Sequence, residues 1–319
     1  MRYKVDLSAK PENRWEVVIA KEKANARRLM KKAWSDLQDQ TGWWSILLGP
    51  AEWIVSKSHL LFGGLYREEM GAWAEATGVP ISRVVSLNLS YELSQQGCTS
   101  VVKWVPRIGM VHVRHLDWDI DGLDKYTIVV DFVNGDAGPF TAVTWPGYVG
   151  MLSGVAKGRF AITINSAPHG PCRNPSHMPP TVVIREAFEK CTDFDKAVEF
   201  IRSYKLTTNA LFTVSGPKRG QAVTIEALCD DDKLRWMDHG ILATANHFES
   251  KKFAYLNDDD EFHEDSIDRQ KSAAAQAATT SMTALSEGFG FMNREPMDNS
   301  LTKQRMVLHP KTGKALVRT

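Results

Sequence analysis

The stretch GCTSVVKWVPRIGMVHVRHLDWD, residues 97–119, constrains the chain more than any other. Two runs of mostly apolar residues, CTSVVKWV and MVHVRHLDWD, flank PRIG. Runs of β-branched and aromatic residues around a Pro and Gly turn read as a β-hairpin. A turn over Pro106–Gly109 sets Val105 opposite Met110, and counting back sets Cys98 opposite Asp117. Directly opposed residues hold their Cβ atoms about 4.5–5.5 Å apart. The spacing therefore predicts a nucleophile-type side chain and a carboxylate on one face. Arg114 has the other parity on that register, so it is either structural or brought round by a bulge.

The rest of the chain surrounds this hairpin with an α+β order. RWEVVIA (14–20) reads as a first strand, and residues 21–40, 65–78 and 80–96 read as helices. The first 97 residues are thus mostly helical. Beyond Cys98 come strands over 125–133, 140–150, 158–168, 210–216, 221–228 and 240–248. Residues 181–204 and 266–288 carry helical spacing, and QRMVLHPKTGKALVR closes the chain as a hairpin. Runs of strands alternating with runs of helices point to antiparallel sheets covered by helices.

Several classes of function are set aside. The net charge is +1, and no basic stripe with interleaved aromatics appears, so nothing calls for nucleic acid. The N-terminus MRYKVDLSAKPENRWEVV lacks an apolar signal core, which predicts a cytoplasmic start. No run of about 18 apolar residues exists to span a membrane. Cys98, Cys172, Cys191 and Cys229 form no CxxC pair, so no metal or other cofactor is expected. Cys191 and Cys229 read as buried core thiols. His112, His115 and Asp117 do not make a metal site, because the two histidines point to opposite faces of a strand. The acidic run NDDDEFHED (257–265) lacks the EF-hand order and reads as a solvated loop.

The motif CTSVV…HVRHLDWD resembles the N-terminal nucleophile hydrolases of the choloylglycine hydrolase group. It is most similar to the branch of acid ceramidase and N-acylethanolamine-hydrolysing acid amidase. KPENRW, EEMGAWAEATGVPISRVVSLNLSYELS, PGYVGMLSGVAKGRFAITIN, TANHF and the closing QRMVLHPKTGKALV resemble further landmarks of that branch, in order. The resemblance implies a four-layer αββα sandwich over residues 98–319, preceded by a helical segment of residues 1–97 that stays bound after cleavage. It implies autocleavage between Gly97 and Cys98. The freed Cys98 then supplies a thiol nucleophile and, through its own α-amino group, a base. Such a group titrates near 7.7–8.0 and accepts a proton at neutral pH with little tuning.

Position by position, the resemblance gives Asp117 the task of orienting the Cys98 amine and Arg114 that of stabilising the thiolate. Asn246 in TANHF would donate its amide to the tetrahedral oxyanion, and Asn165 in TINSAP would make a second oxyanion or substrate contact. Arg269 in SIDRQ matches a late active-site arginine. His115 stands where the family usually has Asn. The implied reaction is hydrolysis of a linear amide with an apolar acyl chain, an acyl-amide lipid being the only partner implied. The oligomeric state is not read from the sequence.

GWWSILLGPAEWIV (42–55) reads two ways: as core packing, or as an amphipathic lid whose Trp43, Trp44, Ile46, Leu47, Trp53 and Ile54 touch lipid at a membrane surface. Two rivals to hydrolysis remain open. One is an acyltransferase on the same scaffold, and the other a non-catalytic lipid-binding relative. A papain-like protease is disfavoured, since Cys98 lacks a helix N-terminus to lower its thiol pKa.

Overall fold

The computed structural model describes residues 1–41, 64–93, 97–168, 174 and 176–319. The chain runs β1 (Arg2–Asp6), α1 (Glu16–Thr41), α2 (Arg67–Thr77), α3 (Ile81–Asn88), β2 (Gly97–Val105), β3 (Gly109–Asp117), β4 (Ile128–Val133), β5 (Phe140–Thr144), β6 (Ser153–Ala156) and β7 (Phe160–Ser166). It continues with α4 (Pro180–Lys190), α5 (Phe194–Arg202), β8 (Ala210–Ser215), β9 (Ala222–Ala227), β10 (Asp232–Trp236), β11 (Ile241–Thr244), α6 (Glu261–Thr279), β12 (Thr302–His309) and β13 (Lys314–Arg318).

These strands form two sheets. One has eight strands in the order β1-β4-β5-β6-β7-β8-β9-β10, and the other five in the order β11-β2-β3-β12-β13. All neighbours are antiparallel except β1, which runs parallel to β4. The sheets stack face to face, with β2 against β7 and β12 against β6. Helix α6 covers the outer face of the small sheet, while α1 and α5 pack against the large one. This is the expected αββα sandwich.

The alternation of side chains explains the layering. Along β2 and β3, Val101, Val105, Val111 and Val113 face Ala273 and Ala277 of α6. The other parity, Val102 and Met110, packs between the sheets with Leu242 and Ala222. Successive residues of a strand point to opposite faces, so one hairpin serves both apolar layers.

The N-terminal region departs from the sequence reading at its start. Residues 14–20 are not a strand: the segment enters α1 at Glu16. Trp15, Val18, Glu22, Ala26, Leu29 and Met30 are buried at helical spacing, which is the pattern that decides it. The first strand is instead Arg2–Asp6, an edge strand with one fully buried side chain, Val5.

Residues before and after position 97 share one core. Trp15, Met30, Met70, Trp73 and Val84 pack in the same apolar cluster as Phe132, Phe140, Phe160 and Phe188. A buried ion pair crosses the same boundary. Arg185 of α4 donates to both carboxylate oxygens of Glu69 of α2, at 2.6 and 2.8 Å. Trp15 Nε1 and Arg14 also donate to Glu69, and the Arg185 guanidinium lies 3.9 Å from the centre of the Tyr66 ring.

Candidate active site

The site is built at the open end of the β2–β3 hairpin. The loop has three residues, Pro106–Ile108, and Val105 pairs with Gly109. Arg107 takes the left-handed conformation at φ 71°, and Ile108 N–H closes the turn onto Val105 O at 3.2 Å. Counting from this turn, Gly97 lies opposite Asp117, Cys98 opposite Leu116, and Ser100 opposite Arg114.

This overturns the parity expected from the sequence. A four-residue turn would set Cys98 against Asp117, whereas the three-residue loop shifts the register by one and exchanges the faces. Arg114 therefore shares the inter-sheet face with Cys98, and no bulge interrupts β2–β3. Its Nη2 donates to Cys98 Sγ at 3.1 Å and to Ile164 O at 2.7 Å, while Nη1 donates to Ser153 Oγ at 2.6 Å. Asp117 has the other parity, that of the α6 face, and lies against the backbone of Gly97. A Cβ added at Gly97 would stand 3.1 Å from Asp117 Cβ, so glycine is what allows this approach.

The remaining candidates converge on Cys98 from three other elements. Cys98 N–H donates to Asn246 Oδ1 at 2.8 Å. Asn246, just past β11, donates through Nδ2 to Ser166 O at 2.8 Å. Its side-chain oxygen thus faces the Cys98 nitrogen, and its amide nitrogen faces Ser166 O. Arg269 of α6 donates to Cys98 O at 2.9 Å, to Thr99 Oγ1 at 3.0 Å and to Asn246 Oδ1 at 3.0 Å. Asn165 of β7 donates to Cys98 O at 3.2 Å and also to Thr244 O and Ala245 O. Cys98, Arg114, Asn165, Asn246 and Arg269 are each at most 2% exposed. These five residues are therefore shielded from water.

Charge is tuned by this burial. Burial pushes the Cys98 thiol above its usual range; the Arg114 guanidinium pulls it down, and Asp117 pushes it up. Asp117 is lifted to about 6, chiefly by burial, against the hydrogen bond it accepts from Thr302 Oγ1 at 2.6 Å. Nearby charges matter this much because little water remains to screen them.

Some expectations fall elsewhere. His115 lies on the α6 side with Nδ1 2.9 Å from Met297 O, and burial pushes it down to about 4. His112 faces the large sheet, opposite in direction to His115. The acidic run is not all loop: Asp260 caps α6 by accepting the His263 N–H at 2.8 Å, and residues 261–265 are its first turn. Cys191 is a buried free thiol, but Cys229 is disulfide-bonded. Trp43, Trp44, Ile46, Leu47, Trp53, Ile54 and Cys172 lie outside the described residues. Among the described residues no group of three His, Cys, Asp or Glu is placed to hold a metal, and no helix is long and apolar enough to cross a membrane.

Sequence reasoning missed the residues that hold the site residues. Ser153, Ser266 and Thr302 each bond a candidate residue, Ser266 Oγ accepting the Asn246 N–H at 2.7 Å. Only Ser266 carried a signal, three residues before Arg269 and so on the same helix face. A cleft of about 140 Å³ opens beyond the end of β3, lined by Leu29, Leu87, Trp118, Ile120, Trp145 and Tyr148 among others.

The family model described as acyl-coenzyme A:6-aminopenicillanic acid acyl-transferase matches residues 107–304. The chain belongs to this family. The matched span holds Arg114, Asp117, Asn165, Asn246 and Arg269, and begins after Cys98.

Curated relatives include an acid ceramidase of Heterocephalus glaber, 28% identical over 190 residues, covering 51% of this chain and 47% of that protein. The acid ceramidase of Rattus norvegicus is 26% identical over 253 residues, covering 70% and 62%. The N-acylethanolamine-hydrolyzing acid amidase of Caenorhabditis elegans is 27% identical over 190 residues, 54% of each. The chain thus spans about half to three fifths of the length of these relatives. The solved structure of the Caenorhabditis elegans amidase ortholog shares the fold, with a TM-score of 0.55 at 20% identity over 67% of this chain and 93% of that one. The fold and these relatives place the family member among the N-terminal nucleophile hydrolases, on the acid ceramidase and acid amidase branch.

Proposed function

We propose that the chain is an amidohydrolase that cleaves the linear amide of an N-acyl lipid through a thioester on Cys98, and that it matures by cutting its own Gly97–Cys98 bond. The observation that carries this is the clamp on Cys98: its sulfur on Arg114, its nitrogen on Asn246, and its carbonyl on Arg269 and Asn165. Every part of that residue is held, including the nitrogen that becomes an amine when the bond before it breaks.

In maturation the Cys98 thiol adds to the Gly97 carbonyl carbon, the peptide nitrogen leaves with a proton, and water hydrolyses the thioester. Cleavage gives residues 1–97 and 98–319. The first piece stays bound through the β1–β4 pairing and the Glu69–Arg185 pair. In turnover the free α-amino group takes the thiol proton and the sulfur attacks the substrate carbonyl. The leaving amine takes up that proton, and water releases the fatty acid. Asn246 and Arg269 hold the amine and the main chain of Cys98; Asp117 supplies a nearby negative charge that favours the ammonium form.

The cleft beyond β3 is the proposed acyl site. An apolar cavity of roughly 150 Å³ takes a benzene-sized ligand, so a cleft of about 140 Å³ suits the first carbons of a chain. Leu87→Phe should fill it and raise KM for N-acyl amides; an unchanged KM places the chain elsewhere.

Intact mass of the purified protein, paired with amide turnover, tests the proposal. Wild type should give two pieces and fatty acid, and Cys98→Ala one piece and none. An active or cut Cys98→Ala protein overturns it. Acyl transfer is a second reading, favoured by the description of the matched family model. An acceptor amine added to the reaction would then appear acylated at the expense of free acid. A whole chain that fails to react with a thiol-directed electrophile would instead support the lipid-binding reading.

A further inference from the structure

Between the two sheets lies a row of buried polar side chains: Asn165, Ser100, Thr163, His112 and Ser215, all 0% exposed. Each bonds the next at 3.0 Å. Elementary hydrogen counting fixes the direction of every bond.

Asn165 Nδ2 lies 3.0–3.2 Å from three main-chain carbonyls, those of Cys98, Thr244 and Ala245. The amide nitrogen must face them, so Oδ1 faces Ser100. Oδ1 carries no hydrogen, and Ser100 therefore spends its single hydrogen there. The Ser100–Thr163 contact then requires Thr163 to donate. Thr163 has no second hydrogen, so His112 Nε2 must carry one and donate to Thr163 Oγ1. Burial, with Arg114 nearby, pushes His112 down to about 3, so the ring is neutral and Nδ1 is bare. Ser215 then donates to Nδ1.

We propose that His112 is a positioning residue for the nucleophile. As the neutral Nε2–H tautomer it drives a one-way chain of hydrogen bonds through Thr163 and Ser100 to Asn165, which holds the Cys98 carbonyl. In a dry interior such bonds polarise one another, so a break far along the chain is felt at its end. The chain also gives three buried hydroxyl side chains and an imidazole hydrogen-bond partners between the sheets. The positioning role rests on Cys98 being the nucleophile; the tautomer does not.

The first measurement is nitrogen NMR of histidine-labelled Cys98→Ala protein. It should show His112 with a proton on Nε2 and none on Nδ1 between about pH 5 and 8, a range in which an ordinary histidine titrates. A proton on Nδ1, or a charged ring, overturns the chain whether or not the protein is an enzyme. Thr163→Val removes the acceptor and should move the proton toward Nδ1, while Thr163→Ser restores Nε2–H. Ser100→Ala frees the Thr163 hydrogen to donate to Nε2, and should therefore also release the proton toward Nδ1.

With Cys98 intact, Thr163→Val and Ser100→Ala should each lower kcat roughly tenfold with KM unchanged, about the effect of one buried hydrogen bond. Thr163→Ser should restore kcat. Unchanged kcat in Ser100→Ala overturns the positioning role. Wild-type protein without turnover, but with the Nε2–H signal, would instead count against the amidohydrolase reading.

Discussion

Asp117 is a buried carboxylate whose partners do not offset its burial, and replacing it should make the uncut chain more stable. The residue is 3% exposed, and its pKa rises from an ordinary 3.8 to about 6. The native state therefore binds a proton more tightly than the unfolded chain. Below pH 3.8 both states are protonated and no penalty exists. As pH rises through about 6 the native carboxyl is forced to ionise in a dry site, and stability falls. A tenfold difference in proton affinity between the two states corresponds to about 1.4 kcal/mol. The full penalty is then about 3 kcal/mol at pH 7.5 and about 1 kcal/mol at pH 4.5.

Asp117→Asn keeps the shape and the oxygen that accepts from Thr302 but cannot ionise. Made in Cys98→Ala protein, so that the chain stays whole, it should raise the urea unfolding free energy at both pH values. The gain should be larger at pH 7.5 by about 2 kcal/mol. Tryptophan fluorescence during urea titration measures it. Equal gains at the two pH values, or a loss at pH 7.5, would refute the reasoning, since an unburied or well-paired carboxylate behaves that way.

Two further outcomes follow from the same contacts. Arg114→Met removes the guanidinium that pulls the thiol pKa down, so alkylation of Cys98 by iodoacetamide in the cut protein should slow about tenfold at neutral pH; equal rates would mean the 3.1 Å contact carries no charge effect. Arg185→Met strands Glu69 in the core with only Arg14 and Trp15 as partners, and should cost about 3–5 kcal/mol in urea unfolding; a change under about 1 kcal/mol would show the pair to be dispensable.

Cys98 and the cluster around it were legible because chemistry-bearing residues stood at strand ends and turns, where few other roles exist for them. Arg114, Asn165, Asn246 and Arg269 all lie within hydrogen-bond distance of Cys98. What failed was a count of one. Pro106–Gly109 read as a four-residue turn, but Arg107 at φ 71° closes a shorter loop. A non-glycine residue in that region is uncommon, and nothing in the sequence announces it. The slip exchanged the faces of Arg114 and Asp117 relative to Cys98.

Elsewhere the misses share a cause. Trp15 and Val18 sit in RWEVVIA, which is rich in β-formers, yet the buried Glu22 and Ala26 beyond it continue a helical stripe. The edge strands Arg2–Asp6 and Asp232–Trp236 bury few side chains, so they carry little apolar alternation to read. Ser153–Ala156 is fully buried but small, and small residues mark no period.

Cys98 and Asp117 bear on each other, and under the proposed maturation the cut at Gly97–Cys98 changes the charge around both. Before cleavage the Cys98 nitrogen is a neutral amide, and the thiol has one cation in contact, Arg114, against burial and the Asp117 charge. A thiol pushed above its usual range is mostly protonated at neutral pH, so its proposed attack on Gly97 should be slow there, because the thiolate is the attacking species. Breaking the Gly97–Cys98 bond turns that nitrogen into an amine with an ordinary pKa near 8. Its positive charge then adds to those of Arg114 and Arg269 around the thiol and Asp117, at the position where the amide N–H now meets Asn246 Oδ1 at 2.8 Å. Its charge lowers the thiol and the carboxyl together, opposing the burial that raises both. Under the proposed maturation, the cut that frees the amine therefore also eases the burial penalty on Asp117, and the stability gain from Asp117→Asn should shrink in the cut protein.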